Sequence, residues 1–341
     1  MKRIIAFAVA LSLLFAFAGC SGTTEKPSCT VTFWDVFDTV TTITAVTDDR
    51  EAFEKQAEAI HQALWKYHQL FDIYQEYDGI TNLKSVNDAA GKAPVAVDAA
   101  IIRLLQDCKQ YYQLTGGQVN VAAGSILKLW HDARESALRD PQQASLPEKS
   151  ALQEAARHTD IEKLIIDEEK GTVFLSDEKM LLDVGAVAKG WAVQRVAENA
   201  LGSFLINVGG NVCATGPKDG EAMPWTVGIN NPDGSSNYLH RLSISGGSVV
   251  TSGNYQRYYM VNGQSYHHII QLETMMPGDL WQAVTVVCPD SALADALSTA
   301  LFLLPLEEGK ALLQRTGGEA FWLDNANNRF YSDGFQALIK A

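Results

Sequence analysis

The chain of 341 residues predicts an α+β fold, and three features of the sequence point there. Short runs rich in Val, Ile, Thr and aromatic residues recur from Val31 to Cys288 with turn signals between them, as β-strands do. Helical patterns arrive in groups instead of alternating one for one with strands, which disfavours a parallel βαβ sheet. Neither a GxGxxG turn nor a GxxxxGKS/T loop occurs, so any nucleotide is held by other means.

Residues 1–20, MKRIIAFAVALSLLFAFAGC, set Lys2 and Arg3 before an apolar stretch and small residues, the layout of an export signal over 1–19. The Ala18-Gly19-Cys20 ending resembles a bacterial lipobox, although Phe17 stands where a leucine-like residue is usual. On that reading Cys20 is lipidated, residues 20–30 form a polar tether, and one domain fills 31–341 at the bacterial cell membrane, facing the extracytoplasmic side. The alternative is a cleaved, secreted protein in which Cys20 is incidental. Cys29, Cys108, Cys213 and Cys288 remain; an oxidising compartment permits disulfides, but the last three lie in apolar patterns that suit buried thiols. With 27 basic and 40 acidic residues the net charge is -13, which excludes a role on bulk nucleic acid. An anionic ligand then depends on a metal ion or on backbone N–H groups.

From Val31, VTFWDVFDTVTTITAVT reads as a strand pair or one long bent strand. Phe53, Ala57, Ile60, Leu64 and Tyr67 then recur at helical spacing, and a second helix covers about 98–114 before Gly116-Gly117. Residues 131–158, polar and broken by Pro141 and Pro147, read as a helical insert. Strands are expected near 163–167, 172–175 and 180–184, a helix over 188–200, then strands near 204–208, 212–215, 225–229, 241–245 and 248–251. Asn262-Gly263 suits the type I′ turn of a further hairpin. Strand 283–288 leads into a last, buried helix that Asp290 or Ser291 can cap, with Pro305 beyond its end.

That helix is apolar but for Asp295, Ser298 and Thr299, and the spacing of Asp295 and Thr299 puts both on one face. An ionised carboxylate there requires a positive partner. Two readings stay open at this point. A hard cation such as Mg²⁺ accepts carboxylate, hydroxyl, carbonyl and water ligands; alternatively a lysine or backbone N–H groups meet Asp295 in the core while Thr299 bonds its own helix. The segment LLDVGAVAKGWAVQRV from Leu181 gathers Asp183, Gly185, Lys189 and Gly190 where strand gives way to helix, a setting suited to an anion. Taken singly, Asp183 reads as a helix cap and Lys189 as a surface residue. The glycines of FLINVGGNVCATG and the Thr251-Ser252-Gly253 run read as turns. Adjacent His267 and His268 on a strand should face opposite ways, as a core histidine or as a catalytic base.

Six segments in order resemble the ApbE family of flavin transferases, the FAD:protein FMN transferases, in their lipoprotein form: FDTVTTI at 37–43, DVGAVAKGWAV at 183–193, INVGGN at 206–211, VTSGNYQRYY at 250–259, HHII at 267–270 and ADALSTALFLL at 294–304. The resemblance runs from about residue 31 to the end. It implies duplicated T-fold-type antiparallel sheets with helices packed on one side, and a cleft for FAD and Mg²⁺. It implies metal ligation by Asp295, Thr299 and the Ala186 carbonyl with Ser298 adjacent. FAD contacts are implied for Phe37, Tyr74, the Val119, Asn120 and Val121 segment, Asp183, Lys189 and Ile269. The implied activity is transfer of the FMN moiety of FAD to a threonine hydroxyl of extracytoplasmic or membrane redox proteins, with release of AMP. The alternatives are an FAD pyrophosphatase and a flavin-binding lipoprotein without turnover. His268 is assigned to take the hydroxyl proton. Two stretches depart from the family pattern: Asn120 stands where an aspartate is usual, and QLETMMP has Gln271-Leu272 for Asp-Pro and Met275 for glycine.

Overall fold

The computed structural model describes residues 26–235 and 237–340, so Cys20 and the export signal lie outside the described residues. No described helix is long and apolar enough to cross a membrane. An eight-stranded antiparallel sheet carries its strands in sequence order: β1 (Ser28–Val36), β2 (Thr39–Val46), β3 (Leu205–Val208), β4 (Asn211–Ala214), β5 (Gly247–Gly253), β6 (Trp281–Cys288), β7 (Glu319–Asp324) and β8 (Arg329–Tyr331). The helices are α1 (Arg50–Phe71), α2 (Leu83–Asp88), α3 (Ala99–Leu114), α4 (Gly124–Arg139), α5 (Lys149–Ala155), α6 (Ala188–Asn199), α7 (Ser291–Leu303) and α8 (Leu306–Thr316).

One order of elements occurs twice. Two strands, two helices and two strands appear as β1-β2-α1-α6-β3-β4 and again as β5-β6-α7-α8-β7-β8, with α2 to α5 inserted between α1 and α6. This is the duplication that the resemblance implies. The two halves are not separate sheets, because β4 pairs with β5 through Gly247 to Val250 and makes them continuous.

The pleat sends alternate residues to opposite faces. Ile43, Ile206 and Val208 meet Phe53, Ile60 and Leu64 of α1 and Val193 and Val196 of α6, while Val250, Val284 and Val286 meet Leu297 and Leu301 of α7. On the other face Val249, Ala283, Phe321 and Leu323 are covered by the hairpin Trp225–Asn230 and Tyr238–Ile244 and by Phe335. Helices therefore occupy one side. Eleven of the 13 residues of α7 are buried, so this helix lies inside the molecule and each of its polar groups must find a partner. Burying each of its leucines is worth about 1.5–3 kcal/mol.

Several boundaries differ from the sequence reading. The domain begins at Ser28 rather than 31, because Ser28, Cys29 and Thr30 already pair with Val46, Ala45 and Thr44. The expected strand at 180–184 does not form. Leu181 to Asp183 is instead tied to the segment before α4, with Gly124 N–H donating to Leu181 O (3.0 Å) and Asp183 N–H to Val121 O (2.8 Å). Asn87 holds Leu182 from the far side, accepting its N–H at 2.7 Å and donating to its carbonyl at 3.0 Å. The insert starts earlier than 131, since α4 begins at Gly124. Beyond α7 the chain adds α8, β7 and β8, and the amphipathic LEEGKALLQRT with buried Leu312 and Leu313 carried that signal. The four described cysteines are free, and Cys108, Cys213 and Cys288 are buried.

The closest helix packing is between α6 and α7, and Gly190 permits it. A Cβ at this position would run into the Asp295 side chain and the Ser291 carbonyl, neither of which can give way inside the core. Gly190→Ala should therefore lower stability by about 2–3 kcal/mol, as overpacking does. At Gly185 an added Cβ meets only Asp183 Oδ1, at 3.0 Å, and Gly185→Ala should stay within about 1 kcal/mol. Urea unfolding midpoints of the two variants check this; equal midpoints would show that the helices can part freely.

Candidate active site

A cleft of about 640 Å³ opens beside α7, within the range of about 300–1,000 Å³ typical of small-molecule sites. Its walls come from the β1–β2 turn, the end of α1, residues 118–121, α4, the approach to α6 and the stretch 256–272. Asp295 and Thr299 of α7 form its deep end.

Asp290 caps α7 by accepting from Leu293 N–H at 2.8 Å, which fixes where the next turn falls. On that turn Asp295 is 4% exposed, and its Oδ2 accepts from Gly190 N–H at 2.8 Å. Lys189 Nζ stands 3.7 Å from the same oxygen. Burial pushes the Asp295 carboxyl up, against the opposing pull of Lys189, the Gly190 N–H and the Asn211 amide. Lys189 is thus no surface residue but the cation that this carboxylate required.

The bond from Gly190 has a second effect. In a continued helical turn its N–H would return to the Ala186 carbonyl; turned to Asp295, it leaves that cleft-lining carbonyl without a return bond among the described residues. The Thr299 hydroxyl likewise makes no hydrogen bond among the described residues. The local helix bond expected of Thr299 belongs to Ser298, which bonds Asp295 O at 2.9 Å and Ser252 Oγ at 2.8 Å. Ser298 is fully buried and does not line the cleft, unlike Asp295 and Thr299. Among the described residues no group of three or more His, Cys, Asp or Glu is arranged to hold a metal. One carboxylate, one hydroxyl and one carbonyl are nevertheless hard oxygen donors that suit Mg²⁺, an ion that keeps waters and substrate phosphates as its other ligands. The residues fit.

Opposite lies the tight turn between β1 and β2. Phe37 (φ 52°) and Asp38 (φ 51°) both occupy the left-handed region, as a type I′ turn demands, although neither is glycine. Phe37 N–H donates to His68 Nδ1 at 3.1 Å. That leaves the His68 proton on Nε2 for Tyr77 Oη (3.1 Å), which in turn donates to Asp72 Oδ2 at 2.8 Å. This relay braces the strained turn, and desolvation lowers the His68 pKa to keep the ring neutral.

The two adjacent histidines differ in burial, although both touch the cleft. His267 is buried with both nitrogens used: Nε2–H donates to Gly278 O at 2.7 Å and Nδ1 accepts from Ile269 N–H at 3.2 Å. His268, just past strand Gln264–His267, stands on the cleft wall. Its Nδ1 lies 3.2 Å from the Arg257 carbonyl, which can only accept, so Nδ1 carries the proton and Nε2 the lone pair. His268 is exposed along the cleft, and desolvation by the walls around it, then Arg257 and His267, lower its pKa from 6.5. The expected I′ turn is present, with Asn262 at φ 51° and Gly263 at φ 82°.

Val119, Asn120 and Val121 reach the cleft because Val121 is tied to Asp183. Asn120 Oδ1 accepts from Ala122 N–H at 2.9 Å and Nδ2 donates to Thr159 O at 2.8 Å; an aspartate could not make the second bond. Asp183 does not cap α6, whose N-cap is Val187. Its Oδ1 closes a local turn by accepting from Gly185 N–H at 2.8 Å, and burial raises its pKa. Tyr74 stacks on His131 of α4 at 4.5 Å. Met275 takes φ 59°, the conformation that a glycine adopts freely, and its carbonyl accepts from Trp130 Nε1 of α4 at 3.0 Å, so the insert holds the unusual loop in place.

Of the residues singled out from sequence, Phe37, Tyr74, Val119, Asn120, Val121, Asp183, Ala186, Lys189, His268, Ile269, Asp295 and Thr299 all line this one cleft. Sequence reasoning missed His68, His131, Arg134 and Arg257. Arg257 sits in the 250–259 segment that carries the resemblance without a role of its own, and His131 and Arg134 lie in the stretch that reads only as a polar helical insert.

Residues 37–322 match the model of the ApbE family. The FAD:protein FMN transferase of Treponema pallidum is 32% identical over 290 residues, covering 78% of this chain and 77% of that protein. That of Klebsiella pneumoniae is 32% identical over 268 residues, covering 77% and 79%. The crystal structure of the ApbE protein of Thermotoga maritima superposes with a TM-score of 0.82 at 24% identity, over 92% of this chain and 100% of that one. With the match spanning most of the chain and the shared fold around its cleft, this protein belongs to the ApbE family.

Proposed function

We propose that this protein transfers the FMN moiety of FAD to a threonine hydroxyl of an extracytoplasmic or membrane redox protein, with AMP as the leaving group and Mg²⁺ as cofactor. The observation that carries this reading is the meeting in one cleft of twelve residues drawn from distant motifs. Relatives named FAD:protein FMN transferase support the flavin-transfer class.

In the reaction the threonine oxygen bonds to the FMN phosphorus, the bond from that phosphorus to the AMP oxygen breaks, and the hydroxyl proton leaves. His268 Nε2, kept free by its tautomer, takes that proton. Lys189 and Arg257 bring positive charge to the pyrophosphate of a chain that is acidic overall. Asp295, Thr299 and the Ala186 carbonyl would hold Mg²⁺, which when bound neutralises charge on the phosphate oxygens. The Tyr74–His131 stack gives the cleft a flat aromatic wall for a ring of the dinucleotide. Phe37, Ile269 and Val121 exclude water around the reacting phosphorus.

Incubation with FAD, Mg²⁺ and threonine-bearing client peptides should add one FMN by phosphoester mass and release one AMP per FMN attached. Stoichiometric free FMN with no mass added to any of several peptides would establish a pyrophosphatase instead. His268→Gln should slow transfer about 10²–10⁴-fold. Because desolvation lowers the His268 pKa, the ring stays neutral further into acid than a free imidazole. The acid limb of kcat/KM due to this base should then lie below the 6.5 of a free imidazole; a limb at or above 6.5 would refute the desolvated base. We further propose that Cys20 is the lipidated N-terminus of the mature protein. Cys20→Ala should move the protein from the membrane fraction to the soluble one, and unchanged membrane association would refute the anchor.

A further inference from the structure

Asp295 has an asymmetric set of partners. Its side chain is 6% exposed, its Gly190 bond is short and fixed by the backbone, and its ionic partner Lys189 stops at 3.7 Å, beyond hydrogen-bond reach. The Lys189 side chain is 26% exposed and lines the cleft, and its ammonium rides on a flexible four-carbon stem. Lys189 is therefore close enough to neutralise the carboxylate and loose enough to leave it.

A divalent cation on Asp295 and an ammonium on the same carboxylate repel one another. The protein also contributes few ligands: one carboxylate, a hydroxyl and a carbonyl, where Mg²⁺ wants six oxygens and gives up its waters reluctantly. A pyrophosphate entering the cleft answers both difficulties, since it supplies oxygen ligands and offers the ammonium a stronger anion. We propose that Lys189 is an exchangeable counter-ion, neutralising Asp295 in the free enzyme and passing to the pyrophosphate when FAD binds, so that the metal and the dinucleotide bind as a coupled pair. The proposal rests on the reading of the cleft as a site for FAD and Mg²⁺. By linkage, FAD tightens the metal by the same factor as the metal tightens FAD.

The test uses the His268→Gln protein, which suppresses turnover, with Mn²⁺ as the metal probe read by electron paramagnetic resonance and FAD read by flavin fluorescence. With Lys189 present, FAD should tighten Mn²⁺ binding by about tenfold or more. Adding Lys189→Met should raise the affinity for Mn²⁺ alone, weaken FAD, and shrink the coupling towards unity. Lys189→Met should also melt lower in EDTA than its parent and recover on adding Mn²⁺; Lys189→Gln is read in the same way should the methionine variant fold poorly. Equal Mn²⁺ affinity with and without FAD in the Lys189 protein, or no gain in metal affinity on Lys189→Met, overturns the exchange. If Mn²⁺ binds while the coupling is absent, the metal site stands and only the exchange falls; if Mn²⁺ binds under no condition, the metal reading of Asp295 falls with it.

Discussion

The contact between Gly190 on α6 and Asp295 on α7 is the constraint on which the site depends. Because no side chain intervenes, the backbone of one helix reaches the carboxylate of the other. That single bond orients Asp295, satisfies a first-turn N–H of α6 that has no partner within the helix, and sets Lys189, the residue before Gly190, beside the acid. The orientation of a buried carboxylate and its pairing with a cleft-lining lysine thus follow from one close approach. The two helices belong to different repeats of the fold, so the deep end of the cleft exists only where the halves meet.

The charge pattern follows the same logic of placement over amount. With a formal net charge of -13, the chain repels polyanions at long range. Within the cleft, Lys189 faces Asp295 and Arg134 pairs with Glu135 at 2.7 Å, while Arg257 forms no ion pair among the described residues. Recognition of a small anion therefore falls to a few oriented groups at short range, where the low dielectric of a wall strengthens them.

The fold class was legible because strand and helix periodicity are local properties: β1 and β2, α1, α3 and the helices α6 and α7 all lie close to where apolar spacing placed them. The strand expected at 180–184 failed because alternation cannot reveal that its hydrogen bonds go to Val121, Gly124 and the Asn87 side chain. Asp295 was legible as an acid in need of a cation, but spacing could not decide between metal and lysine, since the partner comes from a distant segment. Asn120 illustrates a different limit. Its departure from the family pattern draws attention in the sequence, and only the structure reveals a carbonyl, that of Thr159, for its amide to meet. His68 was invisible because nothing local marks a helical histidine as the brace of a strained turn.

The two helices of the repeat are adjacent in one half and separated by a long insert in the other, which bears on the order of assembly. In the second half α7 and α8 follow one another directly, and α7 packs onto β5 and β6 close behind β6 in the chain, although residues 254–280 separate the two strands. In the first half α1 must wait for α6 across the whole of residues 72–187, and the entropy of closing so long a loop slows the step. β1 and β2 come first in the chain, yet their apolar face stays uncovered by α6 until the insert has followed. A chain built this way holds an unprotected hairpin early, and the outer face of that hairpin carries the polar, β-branched Thr30, Thr32, Thr42 and Thr44.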